Sequence, residues 1–329
     1  MSNARKRVEW IDSLKGLAIV LVVIFHCVDG YLRASLYADK LLIVALRNMN
    51  AFLANLRMPV FFVISGYLFY YVDKNYSWSK LKSKLAGMGL IYLIFGILHI
   101  IVQFFLINSV NIPPKFSDIV LLPFYPVHQY WYLYVLILYY LLAYQIRNIN
   151  IVYILFISFI ISITSRFYSD IQIFTFNRIT IYIFFFFLGG YLCEYKVDLK
   201  RYWYLTWVLI VIYFAIYILN LEHSVSSTLM RLMLTSIFIL MFANLKFLSS
   251  NKFLTICGKY SLPIYLLHIY FTSGARIILN RIHITNIYLH LLSGTILAII
   301  IPILIYKFCL KSNRLSVIFN PAKLWQKKD

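Results

Sequence analysis

Four ionisable residues, Asp12, Lys15, His26 and Asp29, fall in or beside the first long apolar run of this chain. A charge placed in hydrocarbon costs several kcal/mol by most scales, so residues of this kind are kept for a purpose. Lys15 and His26 are eleven residues apart. At about 100° per residue they return to within about 20° of each other, so they share one helix face, about 16 Å apart along its axis. An imidazole there can move a proton near neutral pH or act as a nucleophile itself. Asp29, one turn beyond His26, is placed to orient or charge that imidazole.

Two further segments carry polar groups at membrane depth. In Leu56-Arg57-Met58-Pro59-Val60-Phe61-Phe62-Val63-Ile64-Ser65-Gly66-Tyr67, Arg57 offers a fixed positive charge for a phosphate or an oxyanion. Pro59 predicts a kink and Gly66 a close helix approach. In Gly258-Lys259-Tyr260-Ser261-Leu262-Pro263-Ile264-Tyr265-Leu266-Leu267-His268, Ser261 is expected to cap a helix and Pro263 to sit in its first turn. Lys15, Ser65, Tyr265 and His268 are then expected to line one vestibule open to the cytoplasm.

Each residue also has a plainer explanation. Lys15 is long enough to snorkel to headgroups. His26 and His268 would serve equally as satisfied core histidines, and Arg57 as the ion-pair partner of Asp29. Ser65 and Gly66 would suit helix packing alone. His99 is read as structural and Arg231 as snorkelling, while His128 in a loop stays unassigned.

The elements that must position these groups are helices in a bilayer. Of 329 residues 62% are hydrophobic and 13% are charged, against about 25% charged in soluble domains. Spans are predicted at 14–31, 50–71, 86–107, 130–146, 150–165, 178–194, 203–221, 229–245, 261–280 and 287–309. The reading is an all-α integral membrane protein, a bundle of about ten transmembrane helices with no soluble domain, residues 1–329 forming a single transmembrane domain. The first run lacks a small-x-small cleavage site and is expected to stay as a helix.

Net charge is +20, but no basic stretch is polar enough to dock nucleic acid, so membrane lipid is the expected partner of that charge. With the N-terminus inside, 20 basic residues fall on the inner side, beginning with Arg5-Lys6-Arg7, and eight on the outer, among them Arg33, Arg178 and Arg276. Both termini are therefore expected to be cytoplasmic, and the 108–129 loop, the longest irregular segment, external. Cys27, Cys193, Cys257 and Cys309 read as packing residues, and no metal site is expected, because no His, Cys or carboxylate group has ligand spacing. Aromatic residues such as Tyr130, Trp131, Tyr132, Tyr202, Trp203 and Tyr204 are expected to anchor span ends at the interface.

The segment Trp10 to His26, with Asp12-Ser13-Leu14-Lys15-Gly16 and a histidine eleven residues after the lysine, resembles the opening signature of the acyltransferase-3 family of membrane acyltransferases. Met58 to Tyr67 resembles its second signature, Trp131-Tyr132-Leu133 a third, and Phe187-Leu188-Gly189-Gly190 and Ser261 to His268 two more, in order along nearly the whole chain. The resemblance, to the fucose O-acetylase-like branch in particular, implies a ten-helix core in a bacterial cytoplasmic membrane. It implies transfer of an acyl group, usually acetyl, from acyl-coenzyme A to a sugar hydroxyl. His26 would be the catalytic histidine and Lys15 its basic partner, where many members have Arg. Arg57 stands where relatives of that branch often carry His.

The expected function is therefore O-acetyl transfer from cytoplasmic acetyl-CoA, the acyl donor, to a carbohydrate acceptor in a surface polysaccharide or its lipid-linked precursor. His26, Asp29 and Arg57 are the expected catalytic residues; Lys15, Ser65, Tyr265 and His268 are the expected donor contacts. A transporter or flippase of a polysaccharide precursor would share the buried charge and kinked helix, but no inverted repeat is visible. A non-catalytic assembly partner would not need a buried ionisable helix face.

Overall fold

Apolar runs of this length in hydrocarbon must satisfy their own backbone, and a helix does so within one segment. A computed structural model of the chain describes residues 9–34, 39–107, 110, 113–168, 175–219 and 227–321, and all its regular structure is helical. The order is α1 (Glu9–Arg33), α2 (Lys40–Leu68, continued by a π-helical turn, Phe69–Asp73), α3 (Trp78–Phe105), α4 (Ser117–Leu121), α5 (Trp131–Gln145), α6 (Ile151–Thr164) and α7 (Phe176–Glu194). There follow α8 (Trp203–Ile218), α9 (Ser227–Asn244), α10 (Lys246–Ser249), α11 (Lys252–Lys259), α12 (Ser261–Arg281), α13 (Ile287–Leu310) and α14 (Asn313–Phe319).

Each predicted span falls on a helix, but the expected count of about ten is not reached by length. Among the described residues, seven helices are long and apolar enough to cross a membrane: α1, α2 with its π turn, α3, α7, α9, α12 and α13. The helices at the other three predicted spans, α5, α6 and α8, have 15, 14 and 16 residues. They reach only about 21–24 Å at 1.5 Å per residue, against roughly 30 Å of hydrocarbon.

Other boundaries also move. The second helix starts ten residues before the predicted 50. The Asp39 carboxylate accepts the Leu41 N–H, and no breaker precedes Pro59, so α2 and its π turn run for 34 residues. Ser261 is not a cap: α12 begins on it, and Tyr260 occupies the cap position without a side-chain bond. The 108–129 loop is not wholly irregular, since it holds α4 and leads into a short 3-10 turn, His128–Tyr130. The basic residues Arg5, Lys6 and Arg7, and Lys323, Lys327 and Lys328, counted for the expected topology, lie outside the described residues.

Backbone contact at glycine sets the centre of the bundle. A methyl group on Gly16 would overlap the Leu254 carbonyl of α11, and one on Gly258 would overlap the Asp12 carbonyl of α1. In the same way Gly66 of α2 faces the Phe186 carbonyl of α7, and Gly189 faces the Val63 carbonyl. Ser13 ties the first contact, donating to the Ser249 carbonyl at 2.7 Å. At the far end of the second, Lys74 pairs with Glu194 at 2.8 Å, and Lys84 holds the buried Asp73 carboxylate. α1 also packs on α2, α12 and α13.

Tyr202 and Tyr204 are exposed, as an interface anchor must be, but Tyr130 is not. Tyr130 is fully buried, and its hydroxyl donates to the Leu266 carbonyl at 3.1 Å. Trp131 and Tyr132 face an internal cavity. The four cysteines are free; Cys27, Cys257 and Cys309 are buried, and burial pushes the Cys257 thiol up to about 11, which suits packing rather than reactivity.

Gly189→Ala is expected to lower the thermal stability of detergent-purified protein, by about 1–3 kcal/mol if the helices can separate to admit the methyl. Gly89→Ala, on open surface with nothing within 4 Å of the new methyl, should be neutral or slightly stabilising. Equal melting temperatures for the two variants would contradict the close α2–α7 contact.

Candidate functional site

The α1 face predicted from the Lys15–His26 spacing opens onto one cavity of about 680 Å³. Lys15, His26, Asp29, Arg57, Ser65 and Tyr265 all line it. The lining continues along α1 as far as Arg33. Eighteen residues of helix separate Lys15 from Arg33, about 27 Å, close to the thickness of the hydrocarbon core.

His268 is not among the lining residues. It is fully buried, with its ring 5.0 Å from that of His26, centre to centre. Its Nδ1 lies 3.0 Å from the Ile264 carbonyl and 2.8 Å from the Tyr265 carbonyl, so that nitrogen carries the proton. The side chain has turned back onto its own helix, as polar groups in hydrocarbon do when no other acceptor is offered. His268 therefore backs the His26 ring instead of lining the expected vestibule. His26 itself makes ring contacts with Phe25 and His268 and no side-chain hydrogen bond among the described residues, which leaves its nitrogens for a ligand.

Asp29 does not hold the His26 imidazole as expected. Its carboxylate is 2.8 Å from Arg33 Nε, one turn further along α1, where the paired residue is more than half exposed. Nor is Asp29 salt-bridged to Arg57. The Arg57 guanidinium lies over the Phe25 ring at 3.8 Å from its centre, and Nη1 donates to the Asn50 carbonyl at 3.3 Å. Arg57 thus reaches the cavity beside the residue that precedes His26. Ser65 and Tyr132 share a hydroxyl–hydroxyl bond of 2.8 Å, and the Tyr265 hydroxyl donates to the Gln129 carbonyl at 2.8 Å.

Several lining residues escaped the sequence reading. Arg33, Arg178 and Arg276 were counted only as charges at span ends, yet all three face the cavity. Arg276 donates to the Gly30 carbonyl, and Arg178 lies over the Trp131 ring at 4.4 Å. His99 and His128, 4.7 Å apart between ring centres, also border it. Both nitrogens of His99 are buried without a hydrogen-bond partner. In the sequence His99 reads as structural and His128 stays unassigned, because no local signal relates the two, which meet only through tertiary packing.

Comparison with known proteins agrees with this architecture. A family described as an acyltransferase domain matches residues 8–307, most of the chain and every helix that lines the cavity. A curated relative, the inner membrane protein YcfT of Escherichia coli (strain K12), is 39% identical over 79 residues. That match covers 23% of this chain and 22% of YcfT, so the chain aligns with under a quarter of the curated relative's length. No solved structure matches the chain.

The Ser65–Tyr132 bond is buried enough to be measured. Ser65→Ala and Tyr132→Phe are each expected to destabilise the protein, with a coupling of about 0.6–1.7 kcal/mol in a double-mutant cycle followed by thermal unfolding in detergent. Strict additivity would mean that the two hydroxyls do not meet.

Proposed function

Because this chain belongs to the acyltransferase-3 family, we propose that it is a membrane O-acetyltransferase, moving an acetyl group from cytoplasmic acetyl-CoA to a sugar hydroxyl of a surface polysaccharide or its lipid-linked precursor. The observation that carries this reading is the single cavity that passes His26 and is lined from Lys15 to Arg33. A donor entering at one end and an acceptor entering at the other would meet at His26. The mouth at Lys15 is assigned to the cytoplasm, where the anionic donor is made and where a lysine attracts its phosphates.

In this reading His26 is the general base. Its free imidazole nitrogen takes the proton of the acceptor hydroxyl as the oxygen attacks the thioester carbonyl. Arg57 donates to the oxyanion of the tetrahedral intermediate, in a site where water cannot screen it. The C–S bond then breaks, the coenzyme A sulfur leaves with the proton that His26 gained, and the ester is released. His268, packed on His26 with its own proton held by backbone carbonyls, is a positioning residue that fixes the His26 ring. Ser65, Tyr132 and Tyr265 shape the wall between the Lys15 mouth and His26. Asp29, held by Arg33, acts on the field of the cavity and makes no direct bond to the imidazole.

The test is transfer of radiolabelled acetyl from acetyl-CoA in membranes that express this chain and contain the acceptor. Label should enter surface polysaccharide or lipid-linked sugar, and His26→Ala should lower the rate by about 10²-fold or more while inserting normally. Lys15→Ala should raise the KM for acetyl-CoA several-fold with a smaller change in kcat, and Lys15→Arg should restore it. Full activity in His26→Ala would remove the assigned base. Correctly folded native protein that neither bound acetyl-CoA nor transferred label would favour the transporter reading, to which a long charge-lined cavity is equally suited.

A further inference from the structure

The charges around the cavity are unevenly placed. Lys15 stands at one end, whereas Arg33, Arg178 and Arg276 gather in the half beyond His26, with Arg57 at its near edge against Phe25, and Asp29 is the sole carboxylate among the described lining residues. The helices bring the arginines to one level. Arg57 stacks on Phe25, Arg276 bonds the Gly30 carbonyl, and Arg33 ends α1. α7 runs alongside α2 in the same direction, with Gly189 against Val63, which sets Arg178 near the level of Arg57. Asp29 is within electrostatic reach of both Arg57 and Arg276, and Tyr182 of both Arg57 and Arg178.

Arg57 and Arg276 are more than nine-tenths buried. Among the described residues, no carboxylate lies within salt-bridge distance of Arg57, Arg178 or Arg276. A guanidinium has five N–H donors, and a buried one is normally matched by an anion. Arg57 and Arg276 each spend one donor on a backbone carbonyl. Arg178 has only the Trp131 ring beneath it among the described residues. Planar, unpaired guanidiniums converging on a cavity make a site for phosphate or carboxylate oxygens.

We propose that the half of the cavity beyond His26 is an anion site, and that the acyl acceptor presents a phosphate or carboxylate to Arg178 and Arg276, leaving Arg57 for the oxyanion. Two sources share this chemistry: the pyrophosphate of a lipid-linked sugar and the carboxylate of an acidic sugar. The assignment of the anion to the acceptor rests on the acyl-transfer reading; the existence of the site does not. Anchored there, the acceptor would offer a hydroxyl to His26 close to its charged group, while its neutral part extends toward the Arg33 mouth.

The experiment is equilibrium binding to detergent-purified full-length protein with two matched probe pairs, geranyl pyrophosphate against geraniol and glucuronic acid against glucose. Acetyl-CoA is measured in parallel. At least one anionic probe should bind tenfold or more tightly than its neutral partner, and which one does so identifies the source. Arg178→Gln and Arg276→Gln should each lose about tenfold of that affinity and change acetyl-CoA binding by less than threefold. Arg178→Lys and Arg276→Lys, with an unchanged elution volume, should recover most of it and so separate charge from folding. The proposal is overturned if neither anion is preferred or if the glutamine variants keep full anion binding. It is equally overturned if those variants weaken acetyl-CoA as much as the probe, since the arginines would then serve the donor's phosphates. Anion binding by native protein that fails to bind acetyl-CoA would uphold the site and sink the acyl-transfer reading instead.

Discussion

The rest of the bundle depends on backbone meeting backbone at two glycine contacts. In hydrocarbon there is no hydrophobic gain in pressing helices together, so close approach and dispersion must supply the association. Gly16 with Gly258 brings α1 onto α11, and Gly66 with Gly189 brings α2 onto α7. The first contact fixes the register of the helix that carries Lys15 and His26. The second fixes Arg57 and Ser65 on α2 relative to Arg178 on α7. Between the two clamped pairs the remaining space is the cavity, and its lining comes from α1, α2, α3, α5, α7 and α12 with the loop that carries Val110, His128 and Gln129.

A polar group inside the bundle is costly unless it finds a partner or faces water or ligand. Tyr130, Tyr139 and Tyr92 spend their hydroxyls on carbonyls of Leu266, Ile179 and Leu122 and become core residues. His268 spends its Nδ1 proton on its own helix. His26 and three arginines do not reach such closure among the described residues, and all of them line the cavity. The contrast between these three bonded tyrosines and cavity arginines with donors to spare is the physical reason to read the cavity as a place where something charged binds.

In the proposed acyl transfer, the charge asymmetry of the cavity would give the reaction a direction. A single lysine at one mouth and the arginines beyond the histidine are different instruments: an ammonium attracts phosphates as a point charge, whereas guanidiniums grip oxygens in fixed geometry. Two anionic molecules entering from opposite ends would each meet a charge of its own, and only their neutral reacting groups would need to meet at His26.

Helix identity and position were legible in the residues because apolar length is a local property. The ten predicted spans fall on helices from α1 to α13 with shifts of a few residues, apart from the early starts of α2, by ten residues, and of α3, by eight. The lysine–histidine face of α1 was equally legible, because helical phase is arithmetic on one segment. Tertiary structure alone decided the rest. It turned Asp29 to Arg33 and His268 onto its own carbonyls, choices set by which partner lies nearest in space. It drew Tyr130 into the core, although its span-end position is where an interfacial anchor would sit. It also converted Arg33, Arg178 and Arg276 from loop charges into cavity walls, because a residue at the end of a span faces solvent or a cavity according to how its helix is rotated and packed. Sequence thus determined the helices, the membrane setting and the polar, cavity-lining face of α1. Packing decided which polar groups were consumed by the fold and which were left for a ligand, since satisfaction of a buried polar group depends on neighbours that sequence separation does not specify.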